Sequence, residues 1–233
     1  MDTADLMKII EKKVNEIKYR YLDTLRSLIG LIEEELETLK PILPMGRIRF
    51  IAEVENKNRP ENQVKSIESI VEKIKNSNGK YTCDNFSSEM TDILRGRIIC
   101  NYISDIGEIA KAICSSKNIT QQFKIIDEKD TIYGIRMSNL ERVKGVRAYY
   151  LVFEYKEDAQ CPKIEIQIMT MLAFAWDKKD HYLIYEQERK GINVSPLGKI
   201  KMNAMSELLY VADEFFDSIQ KELSQTKGVI SYE

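Results

Sequence analysis

Residues 163–170 read KIEIQIMT, and this stretch decides the fold. Isoleucine occupies every second position, which predicts a β-strand with one face in the hydrophobic core. The opposite face carries a carboxylate and an amide, Glu165 and Gln167, side by side. Such a polar face either meets solvent on an edge strand or forms the floor of a binding site. The segments around it decide between the two.

Those segments predict further strands. Residues 147–155 (RAYYLVFEY) have strand character, and the short connection through Asp158 and Pro162 predicts an antiparallel hairpin with the first strand. β-branched residues at 96–103 and the FKIID segment at 123–127 predict two more strands.

Helices are predicted on both sides of the strands, from apolar residues that recur every three or four positions. They cover residues 1–40, 64–75, 171–189 and 198–225, and one more follows an N-cap at Ser104. Pro41 and Pro44 end the first helix. We therefore expect an α+β fold with a mixed sheet of about four or five strands that contains an antiparallel hairpin. Helices pack this sheet, and long helices stand at both termini.

Composition excludes several classes of function. The formal net charge of −2 gives no general attraction to nucleic acid or membranes. The longest apolar run is far shorter than the roughly 20 residues of a membrane span, so we expect a soluble, cytoplasmic protein with no membrane partner. His181 is the one histidine and the four cysteines are scattered, which excludes His-cluster metallohydrolases and zinc sites. An oxygen-ligated cation such as Mg²⁺ stays compatible with the sequence.

One face of the predicted helix at 64–75 carries Lys65, Ser69 and Lys73 at spacings of four. At 1.5 Å rise per residue the three cover roughly 12 Å, close to the length of an extended triphosphate. Such a row can neutralise phosphate charge and donate a hydroxyl hydrogen bond. Spacing alone favours an ordinary solvated lysine face.

Further charged and aromatic residues flank the predicted strands. Asp92 stands just ahead of one strand, where an acid holds a metal or, more often, caps a turn. Arg95 and Arg97 suit bidentate phosphate contacts, with surface ion pairs as the alternative. The segment 145–150 (GVRAYY) adds an arginine and two tyrosines whose rings can stack on a base, although aromatics that enter a strand usually pack.

Five segments in order form a more specific pattern than any one of them. They read VKSIESIVEKI, DILRGRII, KGVRAYYLVF, KIEIQIMT and AWDKKDHYLIY. The pattern resembles the synthetase domain of the RelA/SpoT family over residues 60–190, and most closely its small single-domain alarmone synthetases. The resemblance implies one domain over 1–233, with a helical arm at 1–44, a catalytic core at 60–190 and a C-terminal helix at 198–225.

By this resemblance the protein is an ATP-dependent pyrophosphokinase that transfers the β,γ-pyrophosphate of ATP to a ribose 3′-hydroxyl. The expected acceptor is GDP or GTP, and the expected cofactor is Mg²⁺, with Mn²⁺ as an alternative. The catalytic residues would be Asp92, Glu165 and Gln167, of which Asp92 and Glu165 would hold the metal. ATP would bind Lys65, Ser69, Lys73, Arg95 and Arg97. The acceptor would bind Arg147, Tyr149, Tyr150 and His181.

Five positions depart from the family pattern: Gln63 for an arginine, Arg95 for a glycine, Val146 for a tyrosine, Tyr150 for a histidine and Met169 for an arginine. The phosphate and metal residues are kept, while the residues expected at the acceptor base are changed. Loss of a stacking partner forfeits about 1–3 kcal/mol per base.

These departures keep two alternatives open. One is a toxin that pyrophosphorylates the 3′ CCA end of tRNA, with an antitoxin protein as its partner. The other is a catalytically silent nucleotide-binding regulatory module. In each case the long terminal helices offer apolar surface for a homo-oligomer.

Overall fold

The structure, a computed structural model, describes residues 2–39, 52–55, 58, 60–132 and 147–229. Its helices and strands in chain order are α1 (Thr3–Leu39), β1 (Ala52–Val54), a 3-10 turn (Pro60–Gln63), α2 (Ile67–Lys75), α3 (Phe86–Glu89), β2 (Leu94–Cys100), α4 (Ile103–Ser115), α5 (Lys117–Gln122), β3 (Phe123–Asp130), β4 (Tyr149–Tyr155), β5 (Ile164–Thr170), α6 (Met171–Asp180), a π-helical turn (His181–Tyr185), α7 (Glu186–Arg189) and α8 (Pro196–Val229).

The strands form one mixed sheet in the order β1-β2-β5-β4-β3. β2 and β5 are parallel, and the other neighbours are antiparallel. The predicted hairpin of β4 and β5 is confirmed, and so is the α+β class with a mixed sheet packed by helices. β5 lies between β2 and β4, so its polar face is at the centre of the sheet and not on an edge.

One face of the sheet is the core. Ile164, Ile166 and Ile168 of β5 are almost fully buried there, as the alternation predicted. Helices α1 and α4 belong to the same hydrophobic core, and each buries a periodic apolar stripe. The helix α1 runs through Gly30 without a break. Its predicted end at Pro41 and Pro44 lies outside the described residues.

Some boundaries differ from the prediction. The helix expected at 64–75 starts at Ile67, because the hydroxyl of Ser66 accepts a hydrogen bond from the Ser69 N–H and caps it. Ser104 is not an N-cap, so that prediction is wrong. The N-cap is Tyr102, two residues earlier, and α4 starts at Ile103; the Asp105 carboxylate accepts from the Tyr102 N–H at 3.3 Å.

Three further differences concern length and continuity. β1 was not predicted, since three residues show no periodicity. β3 continues beyond FKIID to Asp130. The helix predicted at 171–189 contains the π-helical turn between α6 and α7. Across the described residues, no helix is both long and apolar enough to cross a membrane.

The last helix, α8, is held to the body of the protein by a group of polar contacts that we call the α8 junction. Thr170, at the end of β5, donates to Asp213 at 2.5 Å. The indole N–H of Trp176 donates to the carbonyl of Met202 at 2.8 Å. Arg147, which precedes β4, lies 2.8 Å from the Glu207 carboxylate. These contacts therefore join α8 to the end of β5 and to the residue Arg147 just before β4.

Candidate active site

The polar face of the sheet borders a cleft that is lined by Arg95 and Arg97 of β2 and by Lys178 of α6. Because β2 and β5 pair in parallel, Arg95 lies opposite Glu165 and Arg97 opposite Gln167. The Gln167 amide accepts from Arg97 Nε at 3.0 Å and donates to Glu165 Oε1 at 2.7 Å. This chain of hydrogen bonds fixes both side chains on the floor. The face is therefore a built polar surface, not a solvated edge.

A second group lies at the side of the cleft, where α2 meets the start of β2. Asp92 accepts hydrogen bonds from Lys65 at 2.7 Å and Lys73 at 3.0 Å. We call these three residues the donor cradle. Burial tends to raise the pKa of Asp92, but the two ammonium groups outweigh it and the pKa is lowered. Burial lowers the pKa of Lys65, and the Asp92 charge opposes that change.

The donor cradle opens into a cavity of about 460 Å³. Its lining includes Lys65, Ser69, Lys73, Lys80, Tyr81 and Tyr185. Tyr185 OH donates to Glu72 at 2.6 Å and lies 3.4 Å from Ser69 Oγ, which links the π-helical turn to α2. The volume lies within the roughly 300–1,000 Å³ typical of small-molecule sites. Lys65, Ser69 and Lys73 thus line one cavity, as their spacing allowed.

Glu165 and Asp92 are close enough to affect each other. Burial raises the pKa of Glu165, and the Asp92 charge raises it further. Within the described part of the chain, no three acidic, histidine or cysteine side chains group as metal ligands. Mg²⁺ is usually held by one or two carboxylates together with waters and substrate phosphates. Asp92 and Glu165 therefore fit a magnesium ion that is shared with a bound triphosphate.

Arg97 is anchored by groups that the sequence did not single out. Its guanidinium lies 2.9 Å from Asp177 of α6 and 3.5 Å from Glu55. Lys178 also binds Glu55, at 2.8 Å. Asp177 follows Trp176 in the segment AWDKKDHYLIY, so the family resemblance could have pointed to it. Glu55 follows the unpredicted strand β1 and carried no such signal.

The four predicted acceptor residues are not brought together. Tyr150 lies opposite Gln167, on the cleft face of β4. Burial and the charge of Glu165 raise its pKa to about 12, so the phenol keeps its proton. Tyr149 points to the other face and donates to Glu128 at 2.8 Å. His181 is half exposed at the rim, with its ring 5.1 Å from that of Tyr185.

Arg147 lies on the core side, because alternate residues of β4 face opposite ways. Its Nη1 donates to the Ile132 carbonyl at 3.0 Å, and its guanidinium lies 4.4 Å from the ring centre of Tyr210. With the Glu207 contact, these bonds place it in the α8 junction. The acceptor roles of Arg147, Tyr149 and His181 stay predictions, and the structure assigns each of them a structural contact.

The departures from the family pattern have physical correlates. Gly96 packs against Ile166, and a Cβ there would lie 2.9 Å from Ile166 Cδ1, so only glycine fits this position without a shift. Gln63 is buried and donates to the Glu55 carbonyl at 2.5 Å. Met169 is fully buried. Val146 lies outside the described residues.

The chain belongs to the RelA/SpoT family. The sequence model of that family, described as a region found in RelA / SpoT proteins, matches residues 62–190. The resemblance drawn from the five segments is therefore confirmed.

Two curated relatives come from Bacillus subtilis (strain 168). The GTP pyrophosphokinase YwaC is 24% identical over 225 residues, which cover 94% of this chain and 95% of the relative. The GTP pyrophosphokinase YjbM is 26% identical over 206 residues, which cover 85% and 89%. Both names confirm the expected enzyme class, a pyrophosphokinase.

Solved structures confirm the fold. The small alarmone synthetase 1 from Bacillus subtilis has a TM-score of 0.62 at 22% identity, over 89% of this chain and 97% of that one. The same protein bound to its product pppGpp has a TM-score of 0.60 at 22% identity, over 87% and 97%. The small alarmone synthetase 2 has a TM-score of 0.59 at 23% identity, over 91% and 98%.

Proposed function

We propose that the protein transfers the β,γ-pyrophosphate of ATP to a ribose 3′-hydroxyl. The observation that carries this proposal is the position of the donor cradle beside the Arg97–Gln167–Glu165 chain, close enough for the charges of its three residues to act on Glu165. Pyrophosphoryl transfer requires positioning, charge neutralisation and help in removing the hydroxyl proton. The cleft offers a group for each of these tasks.

Each group has a definite role in this reaction. The 3′-oxygen attacks the β-phosphorus of ATP, the bond to the α-phosphate oxygen breaks, and AMP leaves. Lys65, Lys73 and Arg95 neutralise the phosphate charge, while Asp92 and Glu165 would hold Mg²⁺, or Mn²⁺ in its place. When bound, the metal neutralises charge on the phosphates. Glu165 takes the hydroxyl proton, since its carboxylate lies on the polar floor beside the donor cradle; burial raises its pKa, and a bound cation opposes that rise.

GDP or GTP is the proposed acceptor. The two curated relatives are GTP pyrophosphokinases by name, and one similar solved structure holds pppGpp. In this chain Tyr150 is the acceptor residue on the cleft face, next to Glu165. Its protonated phenol can donate a hydrogen bond to the acceptor.

The contacts of Tyr149 and Arg147 favour a second acceptor, the 3′ CCA end of tRNA. Tyr149 and Arg147 are bonded on the face away from the cleft, to Glu128 and to the α8 junction. A free guanine base therefore lacks two of its expected contacts. A tRNA brings its own positioning through backbone phosphates. This function would make the protein a toxin and would call for an antitoxin partner.

A transfer assay with ATP labelled in the γ-phosphate tests these proposals. Acceptors are GDP, GTP, ATP and bulk tRNA in parallel, with Mg²⁺ or Mn²⁺. We expect label on GDP or GTP that Glu165→Gln abolishes and that Glu108→Gln, a change on the exposed side of α4, leaves intact. Label on tRNA alone identifies the toxin. Absence of Glu165-dependent label on every acceptor rejects the transferase, and ATP binding without transfer then identifies the silent module.

A further inference from the structure

The part of the cleft beside Arg95 and Arg97 is a cavity of about 70 Å³. Its wall is completed by Glu55, Asn62, Gln63, Gly96 and Lys178. We call it the edge cavity, because β1 pairs only with the second half of β2 and has ended at this point. Sites that enclose a whole small molecule measure roughly 300–1,000 Å³, so the edge cavity takes only one edge of a ligand.

Gln63 brings an unpaired acceptor to the edge cavity. It is 5% exposed, and its Nε2 donates to the Glu55 carbonyl at 2.5 Å. Because a carbonyl can only accept, this bond fixes the amide with its oxygen on the other side. That oxygen, Gln63 Oε1, is buried and has no hydrogen-bond partner among the described residues. It lies over Gly96, where a Cβ would be 3.2 Å away from it.

Arg95 brings unpaired donors to the same cavity. Its half-buried guanidinium has no hydrogen-bond or ion-pair partner in the part of the chain that the structure describes. A guanidinium offers five N–H donors and no acceptor, whereas an amide oxygen offers only acceptor sites. Buried polar groups normally find partners. The edge cavity therefore presents an acceptor and donors that a ligand can satisfy together.

These two residues have exchanged their chemistry with respect to the family pattern. That pattern has an arginine at 63 and a glycine at 95, whereas this chain has Gln63, Arg95 and Gly96. Because all three positions line the edge cavity, the departures form one coupled change. An arginine at 63 could only donate. The change therefore gives the cavity an acceptor that the family pattern lacks, and Gly96 leaves room for it.

An acceptor beside donors fits one edge of an adenine base. Adenine presents its 6-amino group next to an acceptor nitrogen, and glutamine side chains commonly read that edge. Gln63 Oε1 suits the amino group, and the Arg95 guanidinium suits the ring nitrogen. Guanine carries an oxygen at the same position. That oxygen would face Gln63 Oε1 with no hydrogen between the two acceptors.

The edge cavity is also at a suitable distance from the donor cradle. Gln63 precedes Lys65 by two positions, and the Lys65 N–H donates to the Ile93 carbonyl at 2.9 Å, so this segment runs along the start of β2. Two extended residues span about 7 Å, which leaves room for a ribose between base and phosphates. The charge of Arg95 acts on the pKa of Lys65, so the two sites adjoin.

We propose that Gln63 and Arg95 select the donor nucleotide by its 6-amino group, so that ATP is accepted and a 6-oxopurine nucleotide such as GTP is rejected. This inference rests on the proposed transfer of pyrophosphate from ATP. It makes Gln63 a specificity-determining residue for the donor, with no part in the chemical step. The selection also keeps a guanine nucleotide, the proposed acceptor, out of the donor position.

Calorimetric titration of the Glu165→Gln protein tests the selection, because binding is then measured without transfer. The ligands, each with Mg²⁺, are ATP, purine riboside triphosphate, which lacks the amino group, and inosine triphosphate, which has an oxygen in its place. We expect ATP to bind roughly tenfold to hundredfold more tightly than the other two. Gln63→Met in the same protein should reduce that ratio to about threefold or less, because methionine has no amide oxygen.

Two further variants complete the test. Gln121→Met, at an exposed glutamine of α5, is the matched control and should keep the native ratio. Gln63→Arg combined with Arg95→Gly restores the family residues and should also lose the preference, and it decides the matter if Gln63→Met does not fold.

The outcomes separate this inference from the proposed function. Equal affinity of the Glu165→Gln protein for ATP and purine riboside triphosphate overturns the inference and leaves the transfer proposal standing. A preference for ATP that persists in both Gln63 variants overturns it as well. No binding of any triphosphate rejects the proposed function and the inference with it.

Discussion

The donor cradle and the α8 junction are both clusters of partly or fully buried charges, yet they differ in what surrounds them. Lys65 and Lys73 line an open cavity, so their bonds to Asp92 can be exchanged for bonds to a ligand. Arg147 and Asp213 are 6% and 5% exposed and border a cavity of only about 20 Å³, too small for a nucleotide. The first arrangement suits binding and catalysis, and the second holds a helix in place. Substitutions in the two clusters should therefore affect different measurements.

The largest expected effect is in the donor cradle. Asp92→Asn removes the carboxylate shared by two lysines and the proposed metal, so we expect kcat to fall roughly 10³-fold, about 4 kcal/mol. Asp84→Asn, at an exposed aspartate that pairs with Lys13, is the control and should keep full activity. Steady-state kinetics and thermal unfolding on the same samples separate the causes. A loss of activity that only tracks the unfolded fraction would assign Asp92 a structural role like that of the junction.

The α8 junction should respond in the opposite way. Arg147→Met removes the hydrogen bond to the Ile132 carbonyl and the ion pair with Glu207. Because the Glu207 side chain is exposed, this ion pair contributes little to the free energy of unfolding. We expect the free energy of unfolding to fall by about 2 kcal/mol, with the KM for the acceptor unchanged within twofold. Urea unfolding and kinetics measure the two quantities, with the exposed Lys129→Met as control. A tenfold rise in KM at unchanged stability would move Arg147 into the acceptor site.

A pH experiment sharpens the comparison. Burial raises the pKa of Asp213 to about 6, so the folded state binds this proton more tightly than the unfolded state. The contribution of the protonated Asp213 carboxyl to the free energy of unfolding is complete below pH 4 and is lost as the pH rises through 6. Asp213→Asn should therefore add about 3 kcal/mol at pH 7 and less than about 1 kcal/mol at pH 4. The difference between the native and variant unfolding curves measures this, because the other groups cancel. A constant difference across the range contradicts it.

The smallest expected effect lies at the rim of the donor cradle. Tyr185→Phe removes the hydrogen bond to Glu72 and the contact with Ser69. We expect a rise in the KM for ATP of roughly fivefold, about 1 kcal/mol. Tyr182→Phe, at an exposed tyrosine of the same π-helical turn, should change nothing. Equal effects of the two variants would mean that the turn acts only through packing.

The sequence predicted the parts that rest on regular periodicity. The alternation in β5 gave the strand, its buried face and the polar floor. The four-residue spacing predicted that Lys65, Ser69 and Lys73 lie beside one cavity, and they do, although Lys65 precedes α2. The core-side position of Arg147 also follows from the predicted strand at 147–155, in which Arg147 alternates in phase with the buried Leu151 and Phe153. The family resemblance instead implied that Arg147 binds the acceptor.

Other features carry no periodic signal. The strand β1 is too short to show alternation, and Glu55 is placed by its pairing beside β2. Gly96 directly follows Arg95, the position at which the family pattern has its glycine. In the structure, a Cβ at position 96 would lie 2.9 Å from Ile166 Cδ1. Comparison of the motif alone does not reveal this contact, because Ile166 belongs to a different strand.

The π-helical turn has a consequence for how this enzyme can change. It holds one residue more than an α-helical path would use, so everything after it is rotated by about 100°, the angle of one residue in a helix. That rotation directs Tyr185 and Arg189 toward Glu72 and Glu68 of α2. Deletion of a single residue between His181 and Tyr185 would therefore shorten the chain very little, but it would turn α7 away from the cleft. The number of residues in this turn therefore sets the rotation of α7 about its axis, and with it the access to the site.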